Sequence, residues 1–120
     1  MLTNNNLVCN TNCTIPLYRM KQHWAFVIVG PLFHVAAGSR VFSCAVLAGH
    51  AVILSKFDVT ALLGVIEKYK INSATLVPTM YQLILDHPEF CSFDLSSLKM
   101  LASGAAPLSD ALLRRILEVF

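Results

Sequence analysis

Four short apolar runs, each followed by a stretch with helical spacing, constrain this chain more than any other feature. The runs are "AFVIVG" (25–30), "HAVILS" (50–55), "SATLVP" (73–78) and "LKMLAS" (98–103). Continuous rather than alternating apolarity is the mark of strands buried on both faces, and the first two runs read as interior strands with a buried helix between them. "VAAGSRVFSCAVLA" (35–48) suits that helix, closed by Gly49. Asp58 caps a second helix that sets Leu62, Val65, Ile66 and Tyr69 on one face, with Glu67, Lys68 and Lys70 toward water. "TMYQLILDH" (79–87) is a short third helix. Ser109 caps a last one, "DALLRRILEVF", with Leu113, Leu117 and Phe120 on one side. Before the first strand, Thr3 caps "NNNLVCNTNCT", a helix expected to stop near Pro16. Such alternation predicts an α/β fold with a mainly parallel sheet and helical crossovers.

Composition then bears on completeness. Of the 120 residues, 56% are hydrophobic and 13% charged, against roughly 25% charged in an average globular domain. So few charges leave apolar faces that other parts of a larger domain are expected to cover. The apolar stretches 24–39 and 41–55 are divided by Arg40, and each falls short of the roughly 20 residues of a membrane span. No secretory signal is visible in the Asn-rich opening. A net charge of +2, with no basic run longer than Arg114-Arg115, gives nucleic-acid binding no support. Cys9, Cys13, Cys44 and Cys91 form no Cys-x-x-Cys pair. Cys9 and Cys13 share a helix face and His23 follows, but a fourth ligand at a fitting interval is lacking, so no metal site is expected and reduced thiols are.

In parallel sheets ligands gather beyond the C-terminal strand ends. Three segments leave strands there: "PLFHVAAG" (31–38), "VPTM" (77–80) and "SGAAP" (103–107), each joining small residues or Pro to one polar group, namely His34, Thr79 and Ser103. The last is almost without side chains, which favours a flat ligand lying close to backbone. It lacks the Lys of a Gly-x-x-x-x-Gly-Lys phosphate cradle.

Taken in order, "MLTNNNLV", "PLFHVAAG", "YKINSATLVPTMYQLIL" and "FDLSSLKMLASGAAPLS" resemble the adenylate-forming (AMP-binding) superfamily, in its acyl-CoA synthetase, coumarate-CoA ligase and luciferase-like branch. The resemblance covers nearly the whole chain. It implies an incomplete piece, residues 1–120, of the large N-terminal domain of an enzyme that activates a fatty or aromatic carboxylic acid with ATP and Mg²⁺ and passes it to coenzyme A. It further implies that Ser103, Gly104, Ala105, Ala106 and Pro107 face the adenine of AMP. His34, Val35, Ala36, Gly38 and Thr79 would line the acyl pocket, with His34 donating a hydrogen bond near the carboxylate. A small residue at Gly38, where some long-chain relatives carry an aromatic gate, implies a roomy pocket. On the residues alone, His34 reads as a packing residue and Thr79 as the cap of the next helix.

Departures from the family pattern matter too. Asn4 and Asn5 stand where His-Arg is usual. The phosphate loop ending in Pro-Lys, the Gly-Tyr-Gly-x-Thr-Glu segment, the ribose-binding Asp and the catalytic Lys are not in these 120 residues. The chain alone is therefore expected to be inactive, to carry no catalytic residue and to hold none of ATP, Mg²⁺ or coenzyme A tightly. A location in cytoplasm or peroxisome follows from the resemblance, and oligomeric state is left open. Competing readings are a non-catalytic acyl- or nucleotide-binding module, a small membrane-associated protein, and a truncated gene product.

Overall fold

The computed structural model describes residues 3–120; Met1 and Leu2, which open the "MLTNNNLV" stretch, lie outside the described residues. Strands β1 (Ala25–Ile28), β2 (His50–Ile53), β3 (Ser73–Leu76) and β4 (Met100–Ser103) form one parallel sheet in the order β2-β1-β3-β4. The helices are α1 (Asn4–Leu17), α2 (Val35–Val46), α3 (Val59–Tyr69), α4 (Pro78–Leu85) and α5 (Asp110–Val119), with a short 3₁₀ turn at Phe90–Ser92. Parallel neighbours cannot be joined by a hairpin, so every connection crosses over a face of the sheet.

The period of two along β1 distributes its side chains between two cores. Ala25, Val27 and Val29 join Leu62, Leu63 and Ile66 of α3, Tyr81 and Ile84 of α4, and Leu112 and Ile116 of α5. Phe26 points the other way, into a smaller cluster with Met20, Cys44 and Leu47. Burial pushes the Cys44 thiol above its ordinary pKa. The sheet is thus sandwiched, α3, α4 and α5 on one face and α2 with the end of α1 on the other. At the N-terminal strand ends Asn72 ties three strands. Its Oδ1 accepts the Ala25 N–H at 2.8 Å and its Nδ2 donates to the Ser97 carbonyl at 3.1 Å. Its own carbonyl takes the N–H groups of Lys99 and Met100.

Several sequence expectations shift. β1 is buried throughout, whereas β2 is an outer strand of the described sheet, with Ile53 54% exposed. An apolar run says that a strand forms, not how many neighbours flank it. α5 presents Leu112 and Ile116 inward and leaves Leu113, Leu117 and Phe120 exposed. Its apolar positions span two adjacent faces, and only one docks. α3 likewise buries Leu63 beside Leu62 and Ile66, while Val65 is half-buried and Tyr69 exposed. α2 ends at Val46 with Leu47 as its C-cap, and the left-handed residue that follows is Ala48 (φ 48°), not Gly49. Gly49 answers a different demand, since a Cβ there would stand 2.5 Å from the Trp24 carbonyl oxygen. Pro16 falls inside the last turn of α1, which runs one residue past it to Leu17.

Candidate binding cleft at the switch point

From β1 the chain moves outward to β2, then returns across β1 to place β3 on its other side. The connections after β1 and β3 therefore diverge over opposite faces and leave a crevice beyond the strand ends. A cavity of about 160 Å³ occupies it, lined by Gly30, Pro31 and His34 after β1, Val77 and Met80 after β3, and Gly104 and Ala105 after β4. All three rim segments contribute.

His34 is the N-cap of α2. Its extended backbone (φ −87°, ψ 135°) releases the chain from the Pro31 turn, and its Nδ1 accepts the Ala36 N–H at 3.2 Å. With Nδ1 acting as acceptor, the ring proton sits on Nε2, which remains free as a donor. Ala36 lines the cavity as well. Val35 is 68% exposed and outside the lining. Gly38 is also outside it, and a Cβ there would meet the Leu32 carbonyl oxygen at 2.8 Å. Absence of a side chain at Gly38 thus lets α2 start directly under the 31–34 turn.

Thr79 is exposed and does not cap α4. Val77 is the N-cap without a side-chain bond and Pro78 opens the helix, its missing N–H costing nothing at that position. Beyond β4, Gly104 and Ala105 reach the cavity, Ala106 and Pro107 are exposed outside it, and Ser103 borders a separate groove. The left-handed residue of this ledge is Ala105 (φ 67°), not Gly104. A Cβ on Gly104 would meet nothing within 4 Å. The chain's own packing therefore does not require a glycine there.

Tyr81 fixes the ledge from below. It is 2% exposed, and its hydroxyl donates to the Ala102 carbonyl at 3.1 Å, one residue before the ledge begins. Burial pushes its pKa up to about 12. On the far side of β4 an open groove of about 760 Å³ runs between the 90–101 segment and α5, its wall including Leu101, Leu113, Leu117 and Phe120.

Sequence reasoning missed Arg40, noting it only as a break between apolar stretches. It is 7% exposed, lines the cavity, and donates from Nε to the Thr75 hydroxyl at 3.0 Å. The available signal was positional: Arg40 continues the inward stripe of Ala37, Cys44 and Leu47 at helical spacing. Among the described residues no three His, Cys, Asp or Glu side chains gather to hold a metal ion.

A parallel sheet with a cleft at its switch point, bordered by side-chain-poor backbone, defines an α/β fold of the class whose ligands gather beyond the strand ends. More specifically, the chain belongs to the AMP-binding enzyme family, whose profile matches residues 1–120. It is 39% identical over 119 residues to a feruloyl-CoA synthase of Amycolatopsis sp, covering 98% of this chain and 24% of that protein. A 4-coumarate-CoA ligase 1 of Narcissus pseudonarcissus is 31% identical over 123 residues, covering 98% of this chain and 22% of that one. The structure of O-succinylbenzoate coenzyme A synthetase from Bacillus subtilis, in complex with ATP and magnesium ion, superposes with a TM-score of 0.87. That match is 21% identical and covers 97% of this chain and 24% of the synthetase, a likeness of fold. The chain spans about a quarter of the length of the curated relatives it matches.

Proposed function

We propose that this chain is the part of an ATP-dependent carboxylic acid–CoA ligase that supplies one wall of the acid pocket and the backbone ledge facing adenine. The observation that carries the reading is convergence. The His34 turn and the Gly104-Ala105 ledge border one cavity at the switch point, so an acid and a nucleotide base could meet there.

In the reaction, the acid's carboxylate oxygen attacks the α-phosphate of ATP, the bond to the β-phosphate breaks, and pyrophosphate leaves. The coenzyme A thiol then takes the acyl group and AMP departs. The Gly104-Ala105 backbone fits a flat base, because nothing of the chain fills the space a side chain at Gly104 would take. On this reading His34 donates from Nε2 to the acid's carboxylate, orienting it and steadying charge as the mixed anhydride forms. Val77 and Met80 give the acid an apolar wall that excludes water. Magnesium would neutralise the triphosphate, but no cluster of acidic side chains suits it among the described residues, and no step is assigned to this chain through it. The 120 residues alone are inactive on this reading, since among the described residues no Lys or acidic group lines the cleft for the phosphates.

Amide-shift titration of the ¹⁵N-labelled chain tests the proposal. AMP should move Gly104 and Ala105, and ferulate should move His34 and Ala36, both weakly, with no ATP–pyrophosphate exchange. Shifts confined to the α5 groove, or measurable exchange by the chain alone, would contradict it.

A further inference from the structure

Arg40 is a buried cation without an anion. Its Nε is held by Thr75, its guanidinium carbon stands 4.8 Å from the centre of the Tyr18 ring, and its Nη1 is buried with no hydrogen-bond partner. Neither contact cancels a charge. The two ion pairs of the described residues, Lys70–Asp94 and Arg115–Asp86, are exposed and do not involve it. Nor is an acid within reach in the sequence. The first of the chain's seven acidic residues is Asp58, so α1, β1, α2 and β2 carry none. A guanidinium withdrawn from water without a counter-charge is strongly unfavourable unless something binds it. Here the same residue lines the 160 Å³ cavity, beside Thr75 and Ala37.

We infer that Arg40 selects the substrate. The acid carries a second carboxylate, at the end remote from the one activated, and the guanidinium receives it inside the cleft. Arginine suits the task, because its planar fork matches a carboxylate with two parallel hydrogen bonds, and Nε alone is already engaged. The spacing is consistent with this. Arg40 follows His34 by six positions in α2, about 9 Å of helix rise at ~1.5 Å per residue, which leaves room for a chain of several carbons between two acid groups. The inference rests on reading the cleft as the acid pocket.

The test compares pimelate with heptanoate, the same carbon chain with and without the second carboxylate, by amide-shift titration of the 120-residue chain. Pimelate should bind roughly tenfold more tightly or better, as one charge-assisted hydrogen bond implies. Arg40→Met should abolish the preference for pimelate over heptanoate and melt no lower than the parent. Arg40→Lys, which keeps the charge and loses the fork, guards against a folding failure of the first variant and should retain only a small part of the preference. Equal binding of the two acids to the parent chain sinks the Arg40 inference while leaving the acid pocket standing. Failure of both acids to shift His34 or Ala36 sinks both. If Arg40→Met instead weakens AMP, the guanidinium serves the nucleotide and the inference is wrong. If it loses both acids and melts lower, Arg40 is a structural residue.

Discussion

Replacing Tyr81 with Phe removes a single oxygen and isolates the bond that holds β4 and its ledge. In the folded chain that hydroxyl is buried and donates to the Ala102 carbonyl at 3.1 Å. Its loss at neutral pH should destabilise by about 1–3 kcal/mol, the range for leaving a buried acceptor unmade. At high pH the difference narrows. The folded-state pKa, about 12, lies above the ordinary value of 10.0 because burial disfavours the phenolate. The folded chain therefore holds its proton where the unfolded chain releases it. This contribution is complete below pH 10 and is lost as pH rises toward 12, by about 1.4 kcal/mol at pH 11. Lys70, whose pKa is raised by the Asp94 hydrogen bond, also titrates in this range, but it is present in both proteins and cancels in the difference. Urea unfolding followed by Trp24 fluorescence, at pH 7 and pH 11, gives the two gaps. The gap should shrink by about 1.4 kcal/mol between them. A gap that stays constant, or widens, would refute the assignment of a buried, donating Tyr81.

Gly38→Ala should lower stability by about 1–3 kcal/mol through the contact with the Leu32 carbonyl, although Ala in a helix normally gains about 1 kcal/mol over Gly; a rise in melting temperature would remove the close-approach explanation. At low pH, Asp94 is held well below the usual carboxylate range by the Lys70 and Ser96 hydrogen bonds, and Asp86 is lowered by Arg115 and Gln82. Depressed carboxylate pKa values stabilise above the ordinary value near 3.8 and lose that contribution as pH falls below it. Asp94→Asn should accordingly flatten the melting profile between pH 5 and pH 2, roughly the range for such groups. An unchanged acid limb would mean that the exposed Lys70 pair is solvated away.

The strand and helix segments could be read from the sequence because periodicity and caps are local: Thr3, Asp58 and Ser109 each accept a backbone N–H at the start of the helix they were expected to begin. Parallel pairing followed from the alternation alone. What local reading could not supply was the neighbourhood. The outer position of β2 depends on the strand order, and the docking of Leu112 rather than Leu113 depends on which face meets the sheet. Left-handed backbone fell on Ala48, beside the Gly49 expected to close α2, because tertiary contacts set where the chain must turn. Arg40 looked like a break between apolar stretches because its burial comes from Tyr18 and Thr75, both distant in sequence.

The central claim is that the bareness of Gly104 serves a ligand and not the fold. Gly104→Ala tests it most directly, since the added methyl meets nothing within 4 Å. The AMP-induced shifts at Ala105 should vanish or weaken strongly, with the melting temperature unchanged or slightly raised. Undiminished AMP shifts in that variant would contradict the claim.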